Sequence, residues 1–213
     1  MRHIPLIAAA IAVLAFPAHA QPKKVEPAAA LAAAEALIAQ AGAEDVFAPG
    51  AWEYGPTVRH ERSGMSCRFA MGVPVNAVKV NDPPPTRGDD VSCSTAFGGV
   101  LTSHFASRVS LVGRYEAAAA GALAALEARV GDSSAYTGPV FEPQTATLPP
   151  IRVHRLVDEQ SGHKLYERLA VMDMGDWIIT QRVTAPLPAA GAADRLAWMS
   201  LAAMAKEMRQ ETP

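Results

Sequence analysis

The sequence predicts an α+β fold in which a mainly antiparallel sheet packs against about three helices. Three observations carry this: helical and strand-like segments are segregated along the chain rather than alternating, two hairpin signals precede the longest helical stripe, and a three-strand meander follows it. Strand order cannot be read from a single chain, and a β-barrel closed by helices is the competing architecture.

The elements follow in order. Met1-Arg2-His3 gives a basic start, Ile4–Phe16 is an uncharged apolar run, and Ala18-His19-Ala20 is a small-x-small site before Gln21, so residues 1–20 are expected to be a cleaved secretory signal peptide. The apolar run falls short of the roughly 20 residues that a spanning helix needs. No later stretch approaches that length, and no membrane insertion is expected after cleavage; an uncleaved N-terminal anchor is the alternative. Residues 21–213 are then a single domain with a flexible start at 21–26.

Pro27 suits the first turn of a helix over 28–41, where Leu31, Ala34, Leu37, Ile38 and Ala41 recur at helical spacing before Gly42 stops it. Phe47-Ala48-Pro49-Gly50 is expected to be a break. Thr57–Glu61 and Met65–Phe69 form a hairpin about Arg62-Ser63-Gly64, and Val75–Val80 a further strand. Three successive prolines make Asn81–Gly88 a surface loop, the one most expected to be mobile. Asp90–Phe97 and Val100–Val109 flank Gly98-Gly99, a dipeptide that accepts the positive φ angles of a tight hairpin.

Ser110 is placed to cap the next helix, whose stripe of Leu111, Tyr115, Ala119, Leu123, Leu126 and Val130 ends at Gly131. Residues 131–150, with Gly138-Pro139, Pro143 and Pro149-Pro150, are expected to be a long connection. Strands at about 151–158, 163–172 and 176–184, divided by Gln160-Ser161-Gly162 and Met174-Gly175, make the meander. Pro186 and Pro188 end it. Leu196, Met199, Leu201, Ala203, Met204 and Met208 mark a C-terminal helix docked by Trp198.

Composition narrows the function. The chain has 19 Lys+Arg against 21 Asp+Glu, a formal charge of −2, with 50% hydrophobic and 19% charged residues. That gives no electrostatic footprint for nucleic acid and is far from a disordered composition. Export places the two cysteines in an oxidising compartment, where Cys67 and Cys93 are expected to pair. Both sit in alternating segments that turn the thiols inward, and neither belongs to a C-x-x-C redox motif.

Chemistry-bearing motifs are sparse. G-x-S-x-G, P-loop, G-x-G-x-x-G, H-E-x-x-H and acidic calcium-loop patterns are absent from the sequence, so no cofactor and no metal are expected. Asp89-Asp90 is a carboxylate pair without a third ligand. His60 and His104 are the histidines considered as a base, against the more common role of a locally bonded neutral imidazole. If Glu159 pairs with His163 and Asp173 with Asp176, then Arg155, Glu167 and Arg182 line up as a cross-strand ladder, either a salt-bridge row or an anion site. A one-residue slip at the first turn takes Arg155 out of that row. Arg59, Arg62, Arg68 and Arg108 could gather into a basic patch, but alternation divides them between faces.

These readings lead to an exported soluble protein, periplasmic or alternatively extracellular. Its expected role is a noncatalytic binding or accessory domain, with an envelope protein or small ligand as partner, held on the sheet or at the Pro83–Gly88 loop. The alternatives are a small secreted hydrolase with a fold-assembled site and a structural or stress-related envelope protein. The oligomeric state is not legible.

Overall fold

The computed structural model describes residues 23–109, 114–141, 148–160 and 163–210. The expected signal peptide at 1–20, the expected Ser110 cap, Leu111, Pro143 and the Ser161-Gly162 part of the first meander turn lie outside them. The fold is α+β, with three helices against antiparallel sheet.

Helix α1 (Pro27–Ala41) opens on a proline and closes at Gly42, whose φ of 58° lets it and Ala43 donate to the Ala39 and Ile38 carbonyls. Its buried seam is Ala30, Ala34 and Ile38. Leu31, expected inside, lies one position round the helix from that seam and is exposed. Just ahead of α1, Val25 donates its N–H to Glu53 and Lys24 pairs with the Glu53 carboxylate.

Strands β1 (Phe47–Trp52), β2 (Gly55–His60) and β3 (Ser66–Arg68) form a small antiparallel sheet in that order. The expected break at Phe47–Gly50 is therefore a strand. It lies at a sheet edge, where a proline's missing N–H removes no ladder bond. The β2–β3 hairpin turns about Arg62-Ser63-Gly64 as expected.

The larger sheet comprises β4 (Ala77–Val80), β5 (Asp90–Phe97), β6 (Val100–Arg108), β7 (Ser133–Ala135), β8 (Ile151–Gln160), β9 (His163–Asp173) and β10 (Trp177–Pro186). Its order is β4-β5-β6-β10-β9-β8-β7, with every pair antiparallel. Strand β7 falls in the expected connection; its three residues are small and exposed, and carry no periodic signal. The Asn81–Gly88 loop is fastened: the Asp82 carboxylate accepts from the Gly88, Asp89 and Asp90 N–H groups, and Arg87 pairs with Asp45 at 2.9 Å.

Helix α2 (Arg114–Val130) covers one face of this sheet, where Ala119, Leu126 and Val130 meet Leu169, Val171 and Ile178. The small sheet, α1 and helix α3 (Ala190–Gln210), entered through a 3-10 turn at Leu187–Ala189, cover the other. Strand β9 is thus buried on both sides from Tyr166 to Met172, which suits its apolar run Leu169–Met172, while β10 is continuously buried only over Trp177–Ile179 and alternates beyond. No helix among the described residues is long and apolar enough to cross a membrane.

The meander registers differ from the expected ones. Gln160 pairs with His163 and Asp173 with Ile178, shifts of one and two residues. Arg155 consequently stands opposite Arg168, Glu167 opposite Thr184, and Arg182 opposite Leu169. Arg155 points to the α3 face, whereas Glu167 and Arg182 point to the α2 face, so the expected ladder does not form.

Candidate functional site

A groove of about 430 Å³ lies between α3 and the β5–β6 hairpin, closed at one end by Trp52 and Arg68 of the small sheet. One side is a stripe of α3 at helical spacing: Ala193, Leu196, Ala197, Ser200, Ala203, Met204 and Glu207. The other carries Thr95, Phe97, Val100, Thr102 and His104. Phe97, Leu196 and Met199 stand at the rim, 50%, 48% and 60% exposed, and form an apolar lip. Leu196 and Met199, two of the residues that mark the C-terminal helix in the sequence, are therefore groove residues; the buried face includes Asp194, Trp198, Leu201, Ala205 and Met208.

Beneath the groove runs a buried polar chain. The Asp194 carboxylate accepts from Arg155 Nε at 2.9 Å, Arg168 Nε at 3.1 Å, the Tyr166 hydroxyl at 2.8 Å and the Phe141 N–H at 2.8 Å. Arg168 donates onward to Gln181 Oε1, and its guanidinium lies 4.9 Å from the Trp198 ring centre. With its oxygen so engaged, Gln181 turns its amide nitrogen to the Ala197 carbonyl at 3.1 Å and to His104 Nε2 at 3.0 Å. His104 Nε2 is then an acceptor, and the imidazole carries its proton on Nδ1. The Ser200 hydroxyl lies 3.4 Å from the same Nε2.

The electrostatics follow from this wiring. Burial, with the Arg168 charge nearby, lowers His104 to about 4, so the imidazole is neutral at physiological pH. Burial lowers Arg168 to about 10, opposed by its pairing with Asp194. For Asp194, burial pushes the carboxyl up, but the bonds from Arg155, Phe141 and Tyr166 outweigh it and hold it below the usual range.

The disulfide sets the groove's end wall. Cys67 on β3 is bonded to Cys93 on β5, with Cα atoms 6.5 Å apart. Cys93 pairs in register with His104, while Ser66 and Arg68 flank Cys67, so this one bond ties the Arg68 wall to the strand pair carrying the floor histidine. Arg68 itself pairs with Glu207 of α3 at 2.6 Å and lies over the Trp52 ring at 5.9 Å. Trp52 is held by its indole N–H, which donates to the Phe69 carbonyl at 2.9 Å.

The residues singled out from sequence separate into three places. His104 joins the groove, and Arg155 the chain beneath it. Glu167 and Arg182 lie on the opposite sheet face, Glu167 bonded to Arg129 and Thr184 and Arg182 over Phe105. His60 is buried away from the groove, bonded to Ser63 Oγ at 2.7 Å and packed against Phe47 and Trp177; burial, then the Arg62 charge, lowers it to about 4. Sequence reasoning misses Asp194, Arg168 and Gln181. The available signal is a charged or amide residue within an apolar strand or Ala-rich helix, which at such depth must find a partner.

Asp89 is engaged by Arg62 at 2.8 Å and Arg108 at 3.7 Å, and among the described residues no three His, Cys, Asp or Glu side chains converge as a metal site. Neither the models of known protein families nor the curated proteins include a match to this chain.

Proposed function

We propose that this chain is an exported, noncatalytic binding domain that holds the apolar part of an elongated ligand in the groove between α3 and the β5–β6 hairpin. The observation that supports the reading is the groove itself: apolar walls, an exposed apolar lip and a few polar groups converging on the floor, the composition of a ligand site. The polar chain beneath gives the floor its rigidity, since every step from Asp194 to His104 is hydrogen-bonded. Export and a periplasmic address belong to this proposal through the N-terminal segment and the cysteine pair, with extracellular release as the alternative address.

Titration with a neutral arylnaphthylamine dye tests it. Saturable, roughly one-to-one binding is expected, weakened about tenfold or more by Met199→Glu or Phe97→Glu with the melting temperature retained, because both side chains are exposed. Non-saturable dye uptake, or uptake indifferent to these substitutions, overturns the reading.

A hydrolase is the second reading, and Ser200 beside His104 is the observation for it. Against it, the Nε2 lone pair that would activate the hydroxyl already accepts from Gln181, and an imidazole lowered to about 4 is a weak base. Covalent labelling of Ser200 by a fluorophosphonate, lost in Ser200→Ala, would favour the hydrolase.

A further inference from the structure

We propose that the ligand is a single-chain amphiphile with a carboxylate head, and that Arg68 takes that head by exchanging Glu207 for it. The proposal rests on the groove being a binding site and specifies what fills it.

Length and width come first. Along α3 the lining runs from Ala193 to Glu207, a rise of about 21 Å at 1.5 Å per residue. The cavity volume spread over that length leaves a slot about one alkyl chain wide. Its walls suit an extended chain.

The head is argued from charge. Arg68 and Glu207 are the charged side chains of the lining, and both lie at the same end. Their pair is half in solvent, with the side chains 49% and 34% exposed, so it is the kind of ion pair that contributes little and exchanges readily. Arg68 is the better-held partner: its neighbour Cys67 is cross-linked to β5, and its guanidinium rests on an indole that is itself hydrogen-bonded in place. A guanidinium fixed in this way offers a planar fork that matches a carboxylate with two parallel N–H bonds. The floor agrees in sign, since two guanidinium groups, Arg155 and Arg168, share the one carboxylate of Asp194 beneath it. That excess positive charge disfavours a proton on His104 and favours an anion in the groove above. Glu207 then acts as the resident counter-ion of the empty site, and a neutral chain has nothing to gain by displacing it.

Competition against the neutral dye separates the head from the chain. Decanoate, decanol and decyltrimethylammonium are compared as competitors on the mature oxidised protein and on Arg68→Gln and Glu207→Gln, with melting temperatures recorded for each. Decanoate is expected to displace dye at about tenfold lower concentration than decanol. Arg68→Gln should erase that preference, read as the ratio of decanoate to decanol potency on the same variant, and Glu207→Gln should widen it. Equal potency of decanoate and decanol on the native protein, or a preference for the quaternary ammonium, overturns the carboxylate head while the groove stands. Failure of the dye itself to bind removes the groove reading and this proposal with it.

Discussion

Asp194 is the residue on which the underside of α3 depends. A fully buried carboxylate is costly unless paired, and this one answers two guanidinium groups, a phenol and a backbone N–H at once. Asp194→Ala leaves all four donors without their acceptor, and Arg168, with no exposure of its own, cannot turn to water. Urea denaturation should show a loss of about 3–5 kcal/mol for Asp194→Ala. Leu196→Ala, two residues along the same helix but at the exposed rim, should stay within about 0.5 kcal/mol. A loss below about 1 kcal/mol for Asp194→Ala would mean that the chain is not coupled to α3 as drawn. Arg155 shows why such a site is only half legible in a sequence. Its charge within a strand announces a partner, but the partner lies 39 residues on, in a helix, and the local alternative Glu167 is removed to the other face by a register shift of one.

At the scale of elements, signals that act within a few residues survive into the structure. Gly42 ends α1, Gly98-Gly99 turns β5 into β6 with φ values of 57° and 80°, and the meander appears in its expected order. What the pattern misses depends on neighbours far along the chain: β1 is a strand because β2 accepts it, and β7 because β8 has a free edge. The outer apolar stripe of α3 lines a groove instead of a core for the same reason, since nothing among the described residues packs over Leu196 and Met199. The disulfide is the long-range contact that the expectation of export and the cysteine count do reveal. It joins β3 of the small sheet to β5 of the large one across 26 residues, so its removal frees the unfolded chain and also the groove's end wall. Cys67→Ser with Cys93→Ser should lower stability by about 3.5 kcal/mol on the chain-entropy account. Dye affinity should fall as well, in protein that is still folded. Unchanged affinity in the folded double variant would uncouple the wall from the staple.

At the scale of the whole molecule, the two histidines buried among the described residues sit in separate parts of the fold, His60 under the small sheet and His104 on the groove floor, yet burial lowers both to about 4. Both are neutral in the folded protein at pH 7, and in the unfolded chain both take up protons near 6.5. Between those values the unfolded state binds more protons, so stability is fully present above about pH 6.5 and declines as pH falls toward 4. Each histidine contributes at most about 1.4 kcal/mol per pH unit, so together they set a slope of up to about 2.7 kcal/mol per unit, large against a total of about 5–15 kcal/mol. Carboxyls held below their ordinary range, Asp194 and Asp82 among them, add stability that is lost only as pH falls further, through their folded values, and so leave this window to the histidines. Urea midpoints measured from pH 7.5 to 4.5 should therefore fall steadily, and His104→Gln should remove about half of the slope. A flat profile, or a slope unchanged in His104→Gln, would mean that the imidazole is not held neutral. The hydrogen bonds give the reason it should be: a proton on Nε2 would face the Gln181 amide nitrogen donor to donor, and turning that amide to accommodate it would take its oxygen away from Arg168.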